Sequence, residues 1–201
     1  MKKYEFTGET KEIKLLFRTA VLHRIRATVS FGFVKIGDLG GWIEKEENLS
    51  HEGKAWVWGN AKVCGDAKVW GNAEVWGNAE VCGDAKVCGD AKVCGDAKVW
   101  GNAEVCGDAK VCGDAEVFSA SHVLVIGAIG SRNDFTTFYR DKDNEITVKC
   151  GCFLGKIDRF LEKVTQTHGD SKYALVYRAA VEVAKLQIDL SGEAPKDADE
   201  E

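Results

Sequence analysis

The sequence predicts a mainly β protein: a solenoid of short strands, with a β cap before it and a small α/β segment after it. Three observations predict this. The unit A-[K/E]-V-[C/W]-G-[D/N] runs from Ala55 to Val117, with valine at every sixth position and alanine two residues before each valine. Residues two apart in a strand share a face, so Ala and Val point to one side while Lys/Glu and Cys/Trp point to the other. Gly-Asp or Gly-Asn closes each unit, and these residues tolerate the left-handed backbone of a corner best. An amphipathic helix would need a 3.6-residue period and would not carry glycine at every sixth position.

The repeat resembles the hexapeptide of left-handed parallel β-helices, with Val as the aliphatic position and Ala as the small one. The resemblance implies a triangular prism with three units, about 18 residues, per coil. The phase extends it over residues 39–130, since Ile43 and Leu49 keep the alanine phase, Ser121 and Val123 keep both, and Ile129 keeps the valine phase. An 18-residue coil stacks Trp58 on Trp76, Cys64 on Cys82, Cys88 on Cys106, Cys94 on Cys112 and Trp100 on Phe118. Lys62, Glu80, Lys98 and Glu116 form a column of alternating charge, which relieves like-charge repulsion. Trp is always followed by Gly-Asn and Cys by Gly-Asp, the mark of duplicated units rather than of residues selected one by one.

Composition narrows the setting. With 27 basic and 32 acidic residues the net charge is −5, which gives no whole-protein electrostatic case for direct nucleic-acid binding. No apolar run approaches the length of a membrane span, and Met1-Lys-Lys-Tyr-Glu is not followed by an apolar stretch, so neither export nor membrane contact is expected. The eight cysteines therefore read as reduced thiols of a cytoplasmic protein, although stacked pairs lie within disulfide reach. A flat row of cysteines does not converge as a zinc site requires, so no metal and no cofactor is expected.

The flanks depart from the repeat. Residues 1–38 contain strand-like runs at Tyr4-Glu-Phe-Thr and from Val21 to Phe31 and read as a cap, because a terminal coil exposes unpaired edges and core. Residues 131–190 read as a β-hairpin, with strands from Phe135 to Arg140 and from Ile146 to Phe153, followed by helices near 156–168 and 171–189. Residues 191–201, acidic and holding the only proline, read as a disordered tail. Leu22-His-Arg-Ile-Arg-Ala27, Gly37-Asp-Leu-Gly-Gly-Trp-Ile-Glu44, Ile129-Gly-Ser-Arg-Asn-Asp134, Lys149-Cys-Gly-Cys-Phe153 and Thr167-His-Gly-Asp170 resemble hexapeptide-repeat proteins of tailed phages and prophages. That resemblance implies a viral protein in the host cytoplasm and transfers no catalytic residue.

Candidate functional residues lie mainly after the repeat. A glycine-led loop with a hydroxyl and a guanidinium, Ser131, Arg132 and Asn133, can hold an anion; Arg140 and Lys149 from the hairpin and His168 between the helices join it. The expected ligand is an anionic nucleotide or the acidic surface of a host protein. His168 also reads as helix punctuation before Gly169, and Cys150 and Cys152 as packed thiols. Hexapeptide β-helices often carry acyltransferase activity with a histidine base between trimer subunits, but His23, His51, His122 and His168 all lie outside the regular coils. The favoured reading is a non-catalytic binding protein, trimeric through its Trp and Cys rows; an acyltransferase and a purely structural spacer are the alternatives.

Overall fold

A computed structural model describes residues 2–15 and 18–191. The acidic tail expected over 191–201 lies, beyond Ser191, outside the described residues. The chain folds into a parallel β-solenoid of about four turns, with a β-hairpin at one end and a four-stranded sheet backed by two helices at the other.

Strands β1 (Tyr4–Lys14), β2 (Thr19–Ala27) and β3 (Leu39–Ile43) precede the coil. Eleven two-residue strands follow, from β4 (Trp56–Val57) to β14 (Glu116–Val117), each ending on a repeat valine. They stack into three parallel sheets in an 18-residue register: Val63 on Val81 on Val99 on Val117, Val57 on Val75 on Val93 on Val111, and Val69 on Val87 on Val105. Three sheets with three units per coil match the prism that the repeat implies. Every repeat Ala and Val from Ala55 to Val117 is buried, at most 1 % exposed, and together they form one continuous core. Burying a valine is worth roughly 1.5–3 kcal/mol, so the interior column is the main source of stability.

The corners explain the glycines. Gly65 to Gly95 of the repeat adopt φ between +66° and +74°, and a Cβ there would press on the backbone of the glycine one coil on, for example 3.0 Å from the Gly83 nitrogen at Gly65. Both the conformation and the approach exclude a side chain. Outside, the charged column pairs as its signs require, Lys62 with Glu80 and Lys98 with Glu116 (3.0 Å). Neighbouring columns pair Lys86 with Glu104 (2.7 Å) and Glu74 with Lys92 (3.7 Å).

The reduced thiols expected in the repeats are not found. Cys64–Cys82, Cys88–Cys106 and Cys94–Cys112 are disulfides, while Cys150 and Cys152 are free. Stacking one coil on the next brings their Cα atoms to 4.6–4.7 Å, inside the range a disulfide spans. One apolar column is also covered by the chain itself. Ile13, Leu15, Ala20 and Leu22 of the N-terminal hairpin pack over Trp42, Cys64, Cys82 and Trp100. Trp56 stands at an outward position yet is fully buried, because Tyr4 and Phe31 of the cap meet its ring edge-on.

The far end closes differently from expectation. Residues 123–129, read as a degenerate coil, form β15 (Val123–Ile129), which pairs antiparallel with β16 (Asp134–Arg140). β17 (Ile146–Cys150) and β18 (Phe153–Lys156) complete the sheet. Alternate residues of β16 serve two cores. Tyr139 joins the solenoid core and its hydroxyl donates to the Cys112 carbonyl (2.8 Å), and the Thr137 hydroxyl accepts from the Lys110 amide (3.0 Å). Phe138 faces the other way, into a second core with α1 (Ile157–His168) and α2 (Lys172–Gln187). Both helices fall where the apolar stripes place them.

This packing is open to two tests. Val87→Asp should cost at least about 3 kcal/mol, since no partner exists for a charge inside the prism, whereas Lys86→Asp should melt close to the wild type. Equal loss in thermal unfolding would reject the inside/outside assignment. Each disulfide closes an 18-residue separation, so Cys88→Ser with Cys106→Ser should cost about 3 kcal/mol on the loop-entropy scale. Thiol titration of the denatured, unreduced protein should count the two cysteines Cys150 and Cys152; a count of all eight would show an unlinked ladder.

Candidate functional site

The loop from Gly130 to Asn133 joins β15 to β16 and bends through two left-handed residues, Gly130 (φ 72°) and Asn133 (φ 51°). Glycine is required at 130, because a Cβ there would collide with the ring of Tyr177 on α2. Asn is among the residues that tolerate the conformation at 133. The loop is thus pressed against α2, with Ser131, Arg132 and Asn133 exposed.

Tyr177 is the centre of the arrangement. Its hydroxyl lies 3.9 Å from Cys150 Sγ and accepts from the Ser131 amide. Burial, then the neighbouring Cys150, pushes the phenol up to about 12, while Arg132 and the Ser131 amide pull the other way. The Thr136 hydroxyl donates to Cys150 Sγ at 3.3 Å. Arg132 lies along the turn between β17 and β18, where a Cβ on Gly151 would stand 2.7 Å from its guanidinium. His168, at the end of α1, stacks on Tyr177 with ring centroids 5.8 Å apart and meets Tyr173 at 6.0 Å. A cation, a hydroxyl and the rings of His168 and Tyr173 therefore meet at one edge of the domain.

Of the six residues singled out from the sequence, Ser131, Arg132 and His168 are gathered around Tyr177, and Asn133 closes the loop that carries the first two. Lys149 and Arg140 are not. Lys149 pairs with Thr137, on the sheet face turned toward the solenoid, whereas its neighbour Cys150 faces Tyr177. Arg140 sits at the opposite end of β16 from the loop and is buried, 3 % exposed. Its guanidinium stacks over Phe118 (5.2 Å) and binds the Asn144 side chain, Nε to Oδ1 at 2.9 Å. The adjacent Asp141 accepts from the Thr147 hydroxyl and from Lys156, both at 2.5 Å, and from the amides of Asp143 and Glu145. Burial alone would raise this carboxyl; Lys156, Thr147 and the amides outweigh it and hold it below the usual range. Arg140 and Asp141 organise the hairpin turn.

Tyr177 and Gly151 carry no sequence signal of their own. Tyr177 falls in the apolar stripe of α2 and is indistinguishable there from a core residue. The remaining histidines have packing roles. His122 Nδ1 accepts from the Phe118 amide, His51 Nδ1 accepts from the Lys3 amide, and His23 stacks on Phe6. Among the described residues no helix is long and apolar enough to cross a membrane, and no group of three or more His, Cys, Asp and Glu is arranged to hold a metal. No family model and no curated protein matches the chain.

Proposed function

We propose that this is a non-catalytic binding protein of a phage or prophage, a rigid β-helix whose C-terminal domain binds an anionic nucleotide beside the Gly130–Asn133 loop. The observation that carries the reading is the meeting of Arg132 and Ser131 with the His168 and Tyr173 rings around the buried Tyr177. A guanidinium and a hydroxyl recognise phosphate, and exposed rings stack on a base; an acidic protein surface would use only the first half of that set. Sequestering a nucleotide signal of host defence is the role that fits a site with recognition groups. The three disulfides weigh against the cytoplasmic setting that the flanking motifs imply, and counting thiols in protein taken from its native host decides between them.

Nucleotide should be retained through purification and detected by mass spectrometry of the denatured protein. Arg132→Ala should weaken binding of ATP or a cyclic dinucleotide, read by calorimetry, by about ten- to a hundredfold, the worth of one charge-assisted contact. Unchanged affinity in that variant, or no binding of either probe by the wild type, would reject the site.

The assembly we propose is a homotrimer through the prism faces, supported by the half-exposed Trp58 and Trp76 on successive coils. Sedimentation should show a species near three times 22.0 kDa, dissociated by Trp58→Lys with Trp76→Lys. A wild type that stays monomeric at micromolar concentration would remove the trimer.

A further inference from the structure

Six of the eight cysteines are joined across the coils, and the two that remain stand one residue apart. Cys150 ends β17, Gly151 and Cys152 form the turn, and Phe153 opens β18, paired with Cys150. Gly151 adopts φ 56°, which bends the chain between the two thiols without placing a side chain there. Two residues of chain span at most about 7 Å, and the bend brings the two Cα atoms inside the range a disulfide bridges. The thiols differ in access. Cys152 is exposed, while Cys150 is half-buried against the second core. There the Cys150 thiol donates to the Tyr177 hydroxyl (3.9 Å) and accepts from the Thr136 hydroxyl (3.3 Å). The turn also carries a cation: the Arg132 guanidinium lies so close that a Cβ on Gly151 would stand 2.7 Å from it. Among the described residues Arg132 makes no ion pair.

We propose that Cys150-Gly151-Cys152 is a thiol–disulfide exchange site that takes an anionic low-molecular-weight disulfide. The Cys152 thiolate attacks one sulfur of the disulfide RSSR and forms Cys152–S–SR, while RS⁻ departs. Cys150 then attacks Cys152 Sγ, forms the Cys150–Cys152 disulfide and expels the second RS⁻. The substrate gains two electrons, the cysteine pair loses two, and the two thiol protons end on the RS⁻ groups. Exposure assigns the first attack to Cys152, and the one-residue spacing assigns the second to Cys150. Arg132 draws an anionic disulfide to the turn and meets the negative charge of each departing thiolate. The inference shares Arg132 with the nucleotide reading, but its test contains no nucleotide, so either can fail alone.

Oxidised glutathione, offered to the full chain with its three coil disulfides intact, tests the site. In the wild type, peptide mass spectrometry should show both free thiols lost as a Cys150–Cys152 disulfide, with glutathione released and none retained. Cys150→Ser should stop at the first step and hold one glutathione on Cys152. Cys152→Ser should react at least about tenfold more slowly, because the remaining thiol is half-buried. Both variants should keep the wild-type circular dichroism. Arg132→Ala should slow the reaction with oxidised glutathione about tenfold and leave that with uncharged hydroxyethyl disulfide nearly unchanged. A wild type that retains glutathione on Cys152 or on both cysteines would overturn the exchange, as would free thiols that survive the treatment. Equal slowing toward both disulfides in Arg132→Ala, or none, would overturn the anionic class of substrate.

Discussion

Each coil is held to the next in a fixed 18-residue register, with strand amides donating to the carbonyl 17 residues on. The Lys62 amide donates to the Ala79 carbonyl, Cys64 to Val81, Glu80 to Ala97 and Cys82 to Val99, all at 2.9–3.0 Å. Because the offset is constant, whatever residue occupies a position meets its own counterpart one coil away. Val63 therefore meets Val81 inside, Lys62 meets Glu80 outside, and Cys64 meets Cys82 at the corner. A single inserted residue would misalign all of these at once, since a one-residue slip exchanges the inner and outer faces.

The same ladder creates the problem that the ends solve. A stack of parallel strands finishes on a row of unpaired amides and carbonyls and on an open core. At the start, the N-terminal hairpin extends one sheet through β3 and buries Trp56 under Tyr4 and Phe31. Asn48 supplies a side-chain substitute for the ladder: its amide nitrogen donates to the Gly65 and Ala67 carbonyls, and its oxygen accepts from the amides of Glu44 and Lys45. At the finish, Thr137 and Tyr139 take up main-chain groups of the last coil. Neither device carries the repeat's signature. For this reason caps can be expected from the sequence, while their residues cannot be read from it.

Legibility follows the same division. Periodicity identifies the inner and outer faces, the cross-coil neighbours and the two helices, because each rests on a spacing of two, six, 18 or 3.6 residues. It places the cysteine columns correctly but not their state, since an argument from compartment stands against one from proximity. In the C-terminal domain, Arg132 and Arg140 look equivalent in sequence, as cations of one hairpin. Only the strand length separates them, placing one at the loop and the other over Phe118. Tyr177 is hidden for the opposite reason: an aromatic in an apolar stripe has the same pattern whether its hydroxyl is idle or, as here, meets Ser131 and Cys150.

The position of the candidate site follows from what a repeat can and cannot supply. Identical coils present the same groups at every step, so they offer columns rather than a convergent set around one ligand atom. Convergence needs chain that has left the repeat but is still fixed by it, and β16 meets both conditions. Thr137 and Tyr139 anchor it to the last coil, and on its opposite face Thr136 holds the Cys150 thiol beside Tyr177. The Gly130–Asn133 loop enters this strand directly. Its orientation is therefore tied, through one strand, to a stack cross-linked by hydrogen bonds and disulfides. Such pre-ordering would lower the entropy cost of binding a ligand there, the advantage a solenoid would give to a small site at its end.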